Sequence, residues 1–168
     1  MGFNTRILHG EYSSDSNTGA TTTPIYQSSS FEHGSAEELE NIFNGREFGY
    51  IYTRINNPSI EAFEKRIKHL ESGIGGIACA SGMSAIALAV MNILKSGDEI
   101  VSGSGIFGGT YSLFKNLEQF GVLTRYAKDN DAASFKECIN ENTKLIFVET
   151  IGNPKLDVPD IRVLAELA

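Results

Sequence analysis

The sequence predicts an α/β fold: three layers, with a mostly parallel sheet flanked by helices, preceded by an extended N-terminal arm. Three observations carry this. From Ser59 onward, segments with helical apolar spacing alternate with short apolar runs of strand length. Glycine, serine and aspartate sit where helix stops and caps belong. Before that point no hydrophobic period holds for long. Alternation at this spacing implies βαβ units with right-handed crossovers. The chain is therefore divided into an arm, residues 1–58, and an α/β segment, residues 59–168.

The elements follow in order. In the arm, residues 13–35 are rich in Ser, Thr, Asn and Gly. A short helix is expected at residues 36–44, with Ser35 as its cap and Glu38 completing a capping box. Residues 48–59 are aromatic and loop-like. Five aromatics (Tyr26, Phe31, Phe48, Tyr50 and Tyr52) are many for a solvated tail, so the arm is either poorly ordered or ordered against a partner subunit. Ile60, Phe63, Ile67 and Leu70 then share one helical face, and Gly73 is the stop. GGIACA reads as a buried strand. SGMSAIALAVMNILKSG reads as a helix closed by Gly97, and DEIVSG as a strand. GGTYSLFKNLEQFG is a helix, VLTRYA a strand, DAASFKECINEN a helix capped by Asp131, and TKLIFVET a strand. The last helix begins at PDIRVLAELA, with Pro159 expected in its first turn.

Composition excludes several function classes. The 168 residues carry 21 acidic and 14 basic side chains, a formal charge of −7. That balance lacks the basic footprint of a nucleic-acid or anionic-membrane binder. The longest strongly apolar stretch, residues 85–94, is far short of the ~20 residues of a membrane span. The N-terminus has no apolar core of the kind a secretory signal carries. Cys79 and Cys138 are the two cysteines, far apart and without metal-ligand spacing. They argue against a zinc site and point to a reducing cytoplasm.

In a parallel α/β sheet, ligands bind beyond the carboxyl ends of the strands. Three loops fall there. Ser81, Gly82 and Met83 open a helix, which either makes an anion site from free backbone N–H groups or is merely a capped turn. Gly103, Gly105 and Gly108 match G-x-G-x-x-G, with Asp129 about 20 residues on. A dinucleotide cradle or a flexible Gly-rich turn both fit. The third loop, Glu149 to Pro154, sets a carboxylate and the Asn153 amide at the same edge. It is either a capped turn or a polar pair for a ligand. Outside the sheet, Arg54 lies among Tyr50 and Tyr52 and before Asn-Pro, where a structured phosphate-binding loop or a surface charge is possible.

Together these segments resemble the Cys/Met-metabolism family of fold-type I pyridoxal-phosphate enzymes. PIYQSSSF (24–31), YTRINNPS (52–59), ASGMSAI (80–86), IFGGTYSLF (106–114) and ETIGNP (149–154) occur in that family's order and spacing. The ETIGNPKLDV and TGATTTPIYQ forms are most similar to its O-acetylhomoserine sulfhydrylase branch. The resemblance implies pyridoxal 5′-phosphate as cofactor. It implies that Ser81, Gly82 and Met83 hold the phosphate, and that Tyr52 and Arg54 reach it from a neighbouring subunit. Asn153 would bond the 3′-oxygen of the ring, and Glu149 would give nearby polar support. At Phe107 the family usually has Tyr; Phe keeps the stacking surface and carries no hydroxyl.

The resemblance also implies γ-replacement chemistry: O-acetylhomoserine and sulfide or a thiol giving homocysteine or methionine, in a cytoplasmic homo-oligomer, a dimer of dimers. Alternatives are a methionine γ-lyase or cystathionine γ-synthase or lyase activity, a non-catalytic oligomerisation or phosphate-binding module, and a dinucleotide-binding domain. In the family a Schiff-base Lys and an Asp pairing with the ring nitrogen follow the ETIGNP loop at a distance. The eight lysines of this chain lie in unlike contexts. The chain is thus expected to be the N-terminal part of a longer enzyme: the arm plus the first half of the cofactor domain, inactive alone.

Overall fold

A computed structural model describes residues 2–10, 14–16 and 18–168. The expected arm includes residues 1, 11–13 and 17, which lie outside the described residues. The chain forms two compact units, Met1–Ala78 and Cys79–Ala168. Grouping by contacts places the helix after Asn57 with the arm. The 58/59 boundary expected from the sequence marks where helical periodicity begins.

The second unit is built around a three-stranded parallel sheet. Its strands are β1 (Glu99–Ser102), β2 (Leu123–Tyr126) and β3 (Thr143–Phe147), in the order β2-β1-β3. Four helices flank it: α4 (Gly82–Ile93), α5 (Gly108–Leu117), α6 (Ala132–Cys138) and α7 (Ile161–Leu167). The central strand explains the layering. Successive strand residues face opposite sides, so fully buried Ile100 and Val101 serve two cores. Ile100 packs with Val90 of α4 and Phe114 and Leu117 of α5. Val101 packs with Phe135 of α6 and Leu164 of α7. Helices on both faces of a parallel sheet are the predicted α/β architecture.

Local signals account for most element ends. Ser81 accepts the Ser84 N–H at 3.1 Å, and the Ser84 hydroxyl accepts the Ser81 N–H in return, a reciprocal cap on α4. Gly121 ends the short 3-10 turn after α5 with a φ of 82°; Gly97, expected to close α4, instead holds its φ of 95° in the turn before β1, since α4 ends at Ile93 with Leu94 as its cap. Three further expectations are corrected. Asp131 caps α6 with its backbone alone and makes no side-chain cap bond; its own N–H donates to the Asp129 carboxylate. Asp160 is the cap of α7, its carboxylate accepting from Arg162 and Val163, so Pro159 precedes the helix. The third correction concerns GGIACA, which forms no strand. Ile74 and Ile77 are almost fully exposed. An apolar run supplies strand propensity, but a strand also needs a neighbour for its backbone groups. Among the described residues, none of β1, β2 and β3 pairs with this run.

The first unit holds α1 (Phe3–His9), α2 (Ala36–Phe43) and α3 (Pro58–Leu70). Helix α1, which the sequence reading did not anticipate, packs on α3, and Arg66 of α3 donates to the Ile7 carbonyl at 2.6 Å. Ser35 caps α2 as expected. The Glu38 carboxylate turns to the Gly34 N–H rather than to Ser35, so the box closes one residue early. The aromatic arm is ordered by its own backbone: residues 29–31 run antiparallel to 51–53, joined by Phe31 N–H to Ile51 O and Thr53 N–H to Ser29 O.

Candidate functional site

The carboxyl edge of the second unit brings three loops together. Helix α4 starts at Gly82. Its first two N–H groups, those of Gly82 and Met83, have no acceptor among the described residues, and the space beside Gly82 is open. A helix start presents partial positive charge there. Helix α5 starts beside it. No side chain of its own caps it. Glu149, just past β3, supplies the missing acceptor: its Oε1 takes the Phe107 N–H at 2.9 Å and the Thr110 hydroxyl at 3.4 Å. A carboxylate at a helix start is favoured by the same dipole. Gly109 leaves the room in which the Phe107 ring and the Met83 sulfur approach one another, since a Cβ there would meet both. The Phe107 side chain is half exposed.

The third loop carries Asn153. Its N–H donates to the Gly105 carbonyl at 2.9 Å, which ties the ETIGNP loop to the loop after β1. Ser81, Gly82, Met83, Phe107, Glu149 and Asn153 are thus brought to one edge of one unit. Two of the three glycines in the G-x-G-x-x-G match answer a packing need, while Gly108 has open space beside it. Gly103 faces Asn130, Phe135 and Val148, and Gly105 faces the Asp157 carboxylate. Asp129, the residue 20 on, bonds the start of α6. Sequence reasoning missed Asp157 and Asn130. Nothing in their spacing marks them; only the fold places Asp157 against Gly105 and Gly152, and Asn130 against Gly103.

Tyr52 and Arg54 belong to the first unit. The Arg54 guanidinium lies 5.4 Å from the centre of the Tyr52 ring. Both are exposed, and they line an open cleft of about 460 Å³ with Tyr26, Gln27, Ser28 and Thr53. Their strand is held from behind by Asn57, 3 % exposed. The Asn57 amide donates to the Tyr26 carbonyl and the Thr53 hydroxyl, each at 3.0 Å, while its oxygen takes the Ser59 N–H. Asn57 was read only as part of a turn signal before Pro58. Nearby, the Tyr50 hydroxyl donates to Glu61, which also pairs with Lys65 at 2.7 Å. Burial, then the Glu61 hydrogen bond, pushes the Tyr50 phenol well above its usual range.

Residues 4–168 match the family model described as Cys/Met metabolism PLP-dependent enzyme. The chain belongs to this family. It is 41% identical over 167 residues to the homocysteine synthase of Schizosaccharomyces pombe, covering 99% of this chain and 39% of that protein. It is 38% identical to the O-acetyl-L-homoserine sulfhydrylase of Leptospira meyeri, covering 98% of this chain and 37% of that protein. Among solved structures, a Campylobacter jejuni protein crystallised with N′-pyridoxyl-lysine-5′-monophosphate superposes with a TM-score of 0.89 at 34% identity. That match covers all of this chain and 41% of the other. The chain therefore spans about two fifths of the length of these relatives. Its parallel sheet and flanking helices are part of the fold-type I architecture of this PLP-dependent family.

The residues present fit such a cofactor on chemical grounds. Two unpartnered amides at a helix start suit a phosphate ester. An exposed Phe ring beside them suits an aromatic heterocycle. Among the described residues no group of three or more His, Cys, Asp or Glu could hold a metal ion. No helix among them is long and apolar enough to cross a membrane.

Proposed function

We propose that the protein carrying this chain is a pyridoxal-phosphate transferase of the O-acetylhomoserine sulfhydrylase type. It would replace the acetyl ester of O-acetylhomoserine with sulfide or a thiol, giving homocysteine or methionine. The observation that carries the reading is the meeting of the α4 amides, the Phe107 ring and the Asn153 loop at one sheet edge. The bound cofactor supplies an electron sink for charge developing on the substrate carbons.

The residues of this chain bind and orient. Gly82 and Met83 amides hold the phosphate, with Ser81 fixing the turn that aims them. Tyr52 and Arg54 of a neighbouring subunit complete the phosphate site, Arg54 with a forked pair of donors. This makes a homo-oligomer, a dimer of dimers, the working form. The exposed Ile25, Phe48 and Tyr52 of the arm support that reading. Phe107 stacks on the ring, Asn153 bonds its 3′-oxygen, and Glu149 locks Phe107 through the backbone. Phe107 has no hydroxyl, so it moves no proton. In this reading, residues 1–58 form the inter-subunit arm and 59–168 the first part of the cofactor domain. The two cysteines are unlinked, in keeping with a cytoplasmic setting.

Pyridoxal phosphate, O-acetylhomoserine and sulfide supplied to that protein should yield homocysteine. No homocysteine at any sulfide concentration overturns the substrate assignment. Release of 2-oxobutyrate without added thiol would instead identify γ-elimination.

A further inference from the structure

Asp157 occupies an unusual place beneath the Asn153 loop. Its carboxylate lies against the bare Cα atoms of both Gly105 and Gly152, so closely that a side chain at either glycine would collide with it. One oxygen, Oδ2, accepts from the Asn130 side chain at 2.7 Å. The other, Oδ1, is buried and has no hydrogen-bond partner. The Asp157 carbonyl accepts the Gly152 N–H at 2.8 Å, closing the turn that contains Asn153. One side chain thus touches three loops: the one carrying Phe107, the one carrying Asn153, and the Asn130 loop after β2.

We propose that Asp157 is a positioning residue of the ring site, fixing Asn153 against Phe107 by wedging its carboxylate between Gly105 and Gly152 under the hold of Asn130. The inference rests on the cofactor reading given above. The wedge works by shape and by the single bond to Asn130. It follows that Asn, with the same shape and one acceptor oxygen, should replace Asp157 without loss, whereas Ala should not.

The test measures binding of two probes to the full chain by calorimetry: pyridoxine 5′-phosphate, whose alcohol cannot condense with lysines, and inorganic phosphate. The wild-type chain should bind the pyridoxine ester at least tenfold more tightly than phosphate. Asp157→Ala should lose most of that ratio while its phosphate affinity stays within twofold, which also shows that the α4 cradle remains folded. Asp157→Asn should keep the ratio and be no less heat-stable than wild type. Asn130→Ala, which removes only the donor, should lower the ratio as well and decides the matter if Asp157→Ala does not fold. An unchanged ratio in Asp157→Ala and Asn130→Ala overturns the positioning role alone. Failure of the wild-type chain to bind the pyridoxine ester overturns the cofactor reading and the positioning role together.

Discussion

The two units are held together by different means. The second has two apolar cores, one on each face of its sheet, with Ile100, Val101, Phe114 and Phe135 fully buried. Among the described residues, the first unit buries no large hydrophobic side chain to that degree. Its buried polar residue is Asn57. Directional bonds do the holding: Asn57 to three partners, Asn56 to Gly49 and Ile51, His33 to the Tyr50 carbonyl, Ser59 to Pro24 and Tyr26. Apolar burial gives energy without direction. Hydrogen bonds give modest net energy and strict geometry. A unit built of the second kind can hold Tyr52 and Arg54 in a fixed relation while leaving its apolar side chains for a neighbour.

Paired substitutions would break that contrast if it is wrong. The largest effect is expected from Phe114→Ala, which empties a site packed edge-on against Phe147. It should cost about 3–5 kcal/mol, a large share of a domain's typical 5–15. The same truncation at Phe48, 74 % exposed, should cost far less. Denaturant midpoints of the two variants give the comparison directly; equal losses would mean the arm has a core of its own.

Next comes Asn57→Ala. It deletes the cap of α3 and strands the Tyr26 carbonyl, while the Thr53 hydroxyl keeps its bond to the Ser28 carbonyl. Roughly 2 kcal/mol is expected from the cap and the lost bonds, read by thermal melting of the first unit. Anion binding at Arg54 should weaken alongside, since the strand behind it loosens. Ser81→Ala is smaller, about 1 kcal/mol for a lost N-cap, and should weaken inorganic phosphate binding measured by calorimetry.

The last effect, read through its pH dependence, involves Glu99, at the amino end of β1 and away from the site. Its carboxylate takes Arg125 Nε at 2.5 Å and the Asn140 amide at 2.8 Å. The Arg125 bond, then the Asn140 bond, hold its pKa below the usual 4.5. A depressed folded pKa contributes stability that is whole above the unfolded value. It is lost as pH falls through the folded one. Acid titration of stability should therefore show a fall below about pH 4.5 that flattens in Glu99→Gln. An identical slope in both proteins would remove Glu99 from the account.

Much of the fold was legible because its signals are local. Ser35, Ser81 and Gly121 act within one turn of the chain, so their residue types suffice. The family was legible through the order and spacing of five motifs. The GGIACA run shows the limit. Its composition suits a strand, yet pairing depends on which edge is free, and no local property of Ile74 or Ile77 encodes that. Asp129 shows the same limit from the other side: a residue at the right distance from a glycine triplet turns out to serve the next helix.

The sequence by itself determined the alternation of helix and strand and the helix starts that present free amides. Each follows from periodicity and capping over a few residues. Only the tertiary structure decided that Glu149 caps α5 from 42 residues away in the chain, that Gly103 and Gly105 make room for side chains rather than for a dinucleotide, and that Asp157 sits under Asn153. Those depend on close approach between loops distant in sequence. The chain order does not state which atoms will meet once the sheet has set the loops side by side.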